Sequence, residues 1–67
     1  MPLNNRLKEY RAGKNLNQHQ LGNLVGASRQ TISLIERGDY SPSVMLAIKI
    51  ARVFDAAVED IFIYTED

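Results

Sequence analysis

Residues 18–38 constrain the fold more than any other part of the chain. Their apolar residues recur at helical spacing and predict two short amphipathic helices, over about residues 18–25 and 29–37. Gly26 lies between them and predicts a tight turn, because glycine adopts the left-handed backbone that ends a helix. A polar face opens the second helix, and its members are Ser28, Arg29, Gln30, Thr31 and Ser33.

Two short helices joined by a tight turn are the layout of a helix-turn-helix, which places one end of its second helix in the major groove of DNA. We therefore predict this motif over residues 18–37. The predicted buried stripe consists of Leu21, Leu24, Val25, Ile32 and Ile35. Gly22 costs about 1 kcal/mol relative to alanine in the middle of a helix, and the close approach of a crossing helix would explain it.

Three further helices and one strand are predicted outside the motif. The helices span about residues 4–13, 44–54 and 58–62, and the polar residues expected to cap helix starts are Asn4 or Asn5, Asn17, Ser28 and Ser43. The segment 61–65 is β-branched and aromatic, which favours a short strand. Since a single strand is not stable alone, it must pair with the N-terminal residues or with a second copy of the chain.

The helix over residues 44–54 is apolar around most of its circumference. Only Met45, Lys49 and Arg52 form an outward stripe. A helix of this kind needs cover on two sides, which a 67-residue monomer can hardly supply. We therefore expect one small domain over residues 1–67 that gains stability by forming a homodimer.

Composition excludes several classes of function. The chain has no cysteine and one histidine, so it offers no disulfide, no thiolate metal site and no basis for predicting a cofactor. It has neither paired carboxylates in a plausible cleft nor a phosphate-cradling glycine loop, so an enzyme is not predicted. No apolar run is long enough to span a membrane, and the first residues do not read as a secretory signal. The expected location is the cytoplasm.

The net charge of zero conceals an uneven distribution. Residues 1–52 hold all eight basic side chains and three acidic ones, a net charge of +5, whereas residues 53–67 hold five acidic side chains and no basic one, a net charge of −5. Such a division can produce one basic and one acidic face. A basic face is what contact with nucleic acid requires.

A family resemblance rests on the spacing of particular residues. Counted from Gln18, the small fifth position is Gly22, the turn glycine at the ninth is Gly26, and the apolar positions are Leu21, Val25, Ile32 and Ile35. A later signature is met by Pro42-Ser43, Ile50-Ala51 and Glu59-Asp60-Ile61-Phe62. Residues 4–63 thus resemble the lambda-repressor and Cro-like (XRE-type) helix-turn-helix family. The resemblance implies an all-α fold of five helices, with a short C-terminal β-strand paired at a dimer interface.

The same resemblance implies a set of DNA contacts. Base contacts are implied for Arg29, Gln30, Ser33 and Leu34, since arginine can bridge guanine O6 and N7 and glutamine can bridge adenine N6 and N7. Leu34 could instead belong to the core. Contacts to the DNA backbone are implied for Gln18, Ser28, Thr31, Ser43, Arg11 and Lys14. Gln18 could instead be an ordinary polar residue at a helix start.

Two further features follow from the resemblance. Arg11 and Glu36 match a recurrent ion pair, whose loss is expected to lower the melting temperature without touching the DNA surface. The dimerisation segment is expected at about residues 58–65, with an interface formed by Leu46, Val53, Ile61, Ile63 and Tyr64.

The predicted function is a homodimeric, sequence-specific transcription regulator that represses from a near-palindromic operator. The alternative is a protein-interaction module on the same scaffold, such as an antitoxin.

Overall fold

Five helices and a two-stranded sheet make up the computed structural model, which describes residues 3–65. Their order along the chain is β1 (Leu3–Asn5), α1 (Leu7–Gly13), α2 (Gln18–Val25), α3 (Arg29–Glu36), α4 (Val44–Val53), α5 (Val58–Ile61) and β2 (Phe62–Tyr64). This confirms the prediction of a five-helix fold with a short C-terminal strand. No helix within residues 3–65 is long and apolar enough to cross a membrane.

Local side-chain chemistry sets the ends of the central helices. Asn17, Ser28 and Ser43 each accept a hydrogen bond from the backbone N–H three residues later, at 2.7, 3.0 and 3.1 Å, and so confirm three predicted caps. Gly26, with φ of 74°, makes the left-handed turn between α2 and α3. The helix-turn-helix therefore lies where the sequence predicts it.

The first helix begins later than predicted, at Leu7 rather than at residue 4. Residues 3–5 form β1 instead, because this segment pairs antiparallel with β2. In the register of that pair, Leu3 lies opposite Tyr64 and Asn5 lies opposite Phe62. Of the two partners left open for the C-terminal strand, the N-terminal residues are the one observed. Asn5 still serves the helix start, since its Oδ1 accepts from the N–H of Leu7 at 3.1 Å.

The core fills the space between the helices and the sheet. Its buried apolar residues are Leu7, Leu21, Val25, Ile32, Ile35, Ala47, Ile50, Ala51, Phe54, Ile61 and Phe62. Leu24 was predicted to join them and does not, since it is 60% exposed. The buried face of α2 is centred on Leu21, Gly22 and Val25, and Leu24 lies about 100° around the helix from its centre.

Gly22 is required by a close approach, but not the one predicted. A Cβ at this position would lie 2.4 Å from the carbonyl oxygen of Ala27. The neighbour is thus the backbone of the α2–α3 turn itself, not a crossing helix. The Ala27 N–H also donates to the Gly22 carbonyl at 2.9 Å, which holds the turn against α2.

Candidate nucleic-acid interface

The start of α3 presents polar side chains to solvent. Arg29 and Gln30 are exposed, while Ser33 and Leu34 are partly buried. The opposite face of α3 carries Ile32 and Ile35, which are buried in the core and fix the rotation of the helix. Leu34 lies outside the core cluster, so the alternative that made it a core residue is not what the fold shows.

The start of α2 borders an open concavity beside α3. Its lining residues are Arg11, Asn17, Gln18, His19 and Arg29. The unpaired N–H groups and the dipole of a helix N-terminus favour an anion, and Arg29 adds positive charge. The structure therefore brings three predicted contact residues, Arg11, Gln18 and Arg29, around one surface that suits a phosphate group.

Arg11 and Glu36 form the ion pair that the family resemblance implies. The Nε of Arg11 lies 2.6 Å from Oε2 of Glu36 and its Nη2 lies 3.2 Å from Oε1, while Nη1 donates to the Leu16 carbonyl at 2.9 Å. The Arg11 and Glu36 side chains are only 15% and 5% exposed. The hydrogen bond to Glu36 raises the pKa of Arg11, although burial opposes it.

This pairing limits what Arg11 can offer to DNA. A guanidinium has five N–H donors, and three of those on Arg11 are already directed at protein acceptors. Lys14, the other basic residue predicted near the end of α1, is exposed but lines a separate cleft with Tyr10 and Phe54. The structure does not bring Lys14 together with Gln18 and Arg29.

Gln18 makes a contact that sequence reasoning missed. Its Nε2 donates to Oε1 of Glu36 at 3.1 Å. Nothing in the sequence indicates this bond, because the two residues lie 18 positions apart and both are common on helix surfaces. It connects the first residue of α2 to the last residue of α3.

The predicted hydroxyl contacts are placed at helix starts. The hydroxyls of Ser28 and Thr31 lie 2.9 Å apart, beside the first turn of α3. Ser43 is exposed at the start of α4, where its hydroxyl serves as the cap. These three groups are within reach of solvent and retain lone pairs or a proton for a further partner.

The predicted dimer residues are largely occupied within the chain. Ile61 is wholly buried in the core, so its assignment to an exposed dimer surface is wrong. Leu46 and Val53 are partly buried against the same core. The physical reason is that so small a chain needs the end of α5 and one side of α4 to close its own core. Ile63 and Tyr64 remain exposed, and strand alternation directs them to opposite faces of the sheet.

A different part of α4 is uncovered. Val44 is 77% exposed and Ile48 is 44% exposed. Both line an apolar groove, and the described residues that line it are Leu3, Pro42, Val44, Ala47, Ile48, Val58 and Phe62. Tyr64 lies on the same face of the sheet as Leu3, because the two are cross-strand partners. Among residues 3–65, no charged side chain lines this groove.

The helix-turn-helix scaffold and the polar start of α3 define the class of a DNA-binding protein. Residues 7–61 match the helix-turn-helix family model. This match covers more than half of the chain. The chain belongs to the lambda-repressor and Cro-like (XRE-type) helix-turn-helix family, and it is a DNA-binding transcription regulator.

Individual relatives agree with this assignment. An uncharacterized HTH-type transcriptional regulator from Methanocaldococcus jannaschii is 54% identical over 65 residues, which are 97% of this chain and 98% of that protein. The restriction-modification controller protein C.AhdI from Aeromonas hydrophila is 33% identical, with a TM-score of 0.75 over 82% of this chain and 83% of that one. The P22 c2 repressor in complex with a synthetic operator shares the fold, with a TM-score of 0.78 at 24% identity over 81% of this chain and 82% of that one.

Proposed function

We propose that this chain represses transcription in the cytoplasm by binding a near-palindromic operator as a homodimer. The observation that carries the proposal is the exposed pair Arg29 and Gln30 at the capped start of α3, beside the concavity at the start of α2. This arrangement lets one rigid unit place two base-reading side chains in the major groove while the start of α2 meets the DNA backbone.

Base reading is assigned to the exposed first turns of α3. Arg29 donates to guanine O6 and N7, and Gln30 pairs with the adenine edge. Ser33 lies one turn further along the same helix. Leu34 is partly buried and outside the core, and it supplies an apolar contact for a thymine methyl.

Backbone contacts are assigned to the helix starts that border this surface. Gln18 lines the concavity, and the Ser28 and Thr31 hydroxyls lie beside the first turn of α3. Ser43 lies at the start of α4. Arg11 and Lys14 are assigned a smaller part in these contacts, since Glu36 engages and neutralises Arg11 and Lys14 lines another cleft.

Selection of bound sequences from random duplex DNA tests the proposal directly. We expect an enriched site with two half-sites related by a two-fold axis, about 34 Å apart on one face of the duplex. Arg29→Ala or Gln30→Ala should abolish the preference for that site more than it weakens binding to unrelated DNA.

A matched control comes from Arg52, an exposed arginine at the far end of α4 from Ser43. Arg52→Ala removes the same charge away from the proposed interface, so it should leave sequence preference intact. If Arg29→Ala and Arg52→Ala weaken binding equally on every sequence, Arg29 does not read bases. Failure to enrich any site would contradict the proposed function itself.

The homodimer is assigned to the uncharged apolar groove around Val44 and Ile48. An interface between identical copies places the same patch against itself, and the lack of charged side chains among the described residues of the groove avoids like-charge contacts. Ordinary interfaces cover roughly 800 Å² of each partner. The whole described chain exposes 4549 Å², so a contact of that size would cover about a sixth of its surface.

Sedimentation equilibrium tests this surface with a matched pair of variants. Ile48→Arg should convert dimers to monomers, whereas Leu24→Arg, on an exposed residue of α2, should not. A wild-type monomer would contradict the homodimer and favour the alternative, in which the groove docks a different protein such as a toxin. Deletion of residues 61–67 is unsuitable for this purpose, because it removes Ile61 and Phe62 from the core.

A further inference from the structure

One carboxylate joins all three N-terminal helices of the fold. Glu36, the last residue of α3, accepts hydrogen bonds from Arg11 of α1 and from Gln18 of α2. The Arg11 contacts are those of a structural ion pair. The Gln18 contact is different in kind, because under the proposed function the Gln18 side chain contacts the DNA backbone.

We propose that Glu36 is a positioning residue for DNA binding, which orients the Gln18 amide toward a phosphate before DNA arrives. The inference rests on the proposed function, in which Gln18 contacts the DNA backbone. A carboxylate only accepts hydrogen bonds, so it selects the amide orientation that directs Nε2 at Glu36. The second N–H of that nitrogen is then available to a phosphate in the concavity that Gln18 lines.

Arg11 makes this arrangement compatible with a phosphate. An unpaired carboxylate beside the concavity would repel an anion. Two hydrogen bonds from Arg11, at 2.6 and 3.2 Å, neutralise Glu36 and leave its Oε1 shared with Gln18. The three side chains together carry no net charge, so Glu36 can fix the amide without opposing the DNA.

Orientation before binding has a measurable advantage. A free glutamine side chain loses rotamer freedom when it binds a phosphate, and one held in place has already lost most of it.

The ion pair also stabilises the fold, so a change at Glu36 alone cannot separate stability from positioning. The two roles differ in one respect, because positioning acts only when the amide of Gln18 is present.

A double-mutant cycle on the dissociation constant for the selected duplex makes that separation. The four proteins are the wild type, Gln18→Ala, Glu36→Gln and the double variant, compared well below their melting temperatures. We expect Glu36→Gln to weaken binding by about 3- to 10-fold when Gln18 is present and by less than 2-fold in the Gln18→Ala background. Equal losses in both backgrounds would overturn the positioning role. Additive effects on charge or stability cancel in the cycle.

Proton exchange of the side-chain amides tests the same contact without DNA and without any variant. In the wild type, the hydrogen-bonded amide proton of Gln18 should exchange with solvent more slowly than the amide protons of Gln30, which is exposed on α3. Equal exchange would overturn the proposal. If the protein binds no duplex at all, both the proposed function and the positioning role fail. If it binds DNA but the double-mutant cycle shows additive losses, only the positioning role is overturned.

Discussion

Replacement of Gly22 by alanine should destabilise the protein, although helix propensity alone predicts the opposite. Alanine is favoured over glycine within a helix by about 1 kcal/mol. In this fold, however, the added Cβ would lie 2.4 Å from the Ala27 carbonyl oxygen and 3.4 Å from the carbonyl carbons of Ala27 and Ser28. The neighbour is backbone, so no flexible side chain can move aside.

The expected size of the effect follows from three contributions. Overpacking of a rigid site costs about 1–3 kcal/mol. Displacement of the turn also weakens the hydrogen bond from the Ala27 N–H to the Gly22 carbonyl, now 2.9 Å long, at a cost of about 1 kcal/mol. After the gain in propensity, the net loss in the free energy of unfolding is roughly 1–3 kcal/mol. In a domain of this size each 1 kcal/mol lowers the melting temperature by about 4–8 °C.

Thermal melts followed by circular dichroism measure this loss, with Gly13→Ala as the matched control. Gly13 is the last residue of α1, and a Cβ there would meet no atom within 4 Å. Gly13→Ala should therefore be neutral or stabilising by up to about 1 kcal/mol. If Gly22→Ala melts at or above the wild-type temperature, the close approach of the turn does not explain this glycine.

Two comparisons of similar side chains test how the fold distributes burial. Leu21→Ala should lower the free energy of unfolding by about 2–5 kcal/mol, whereas Leu24→Ala should change it by less than about 0.5 kcal/mol, as measured by urea denaturation. Similar losses at both would show that Leu24 is packed. In a variant that does not dimerise, Ile61→Ala should lower the free energy of unfolding far more than Ile63→Ala does, again as measured by urea denaturation. A reversed order would place Ile61 outside the core.

Much of the helix-turn-helix could be predicted because its signals act over a few residues. A cap side chain bonds to a backbone N–H three positions away, as at Ser28, and a turn glycine needs only its own backbone freedom, as at Gly26. The same reasoning placed the polar start of α3. The same reasoning wrongly predicted that Leu24 is buried. Helical spacing shows how wide an apolar stripe is, but it does not show which part of the stripe the neighbouring elements cover.

The start of α1 could not be predicted for a related reason. Leu3 and Leu7 fit a helical period, yet residues 3–5 are extended. Their partner is β2, about 60 positions later, and the backbone bonds between the strands are made only when the chain ends are brought together. The same pairing gave the C-terminal strand a partner within its own chain.

The sequence by itself determined the helix-turn-helix, its caps and its turn, since these depend on contacts between near neighbours. Only the tertiary structure decided which side of α4 stays uncovered and where Ile61 belongs. It also placed Gln18 on the carboxylate that pairs with Arg11. These features depend on how separate helices approach one another, and the packing of the whole core sets those distances.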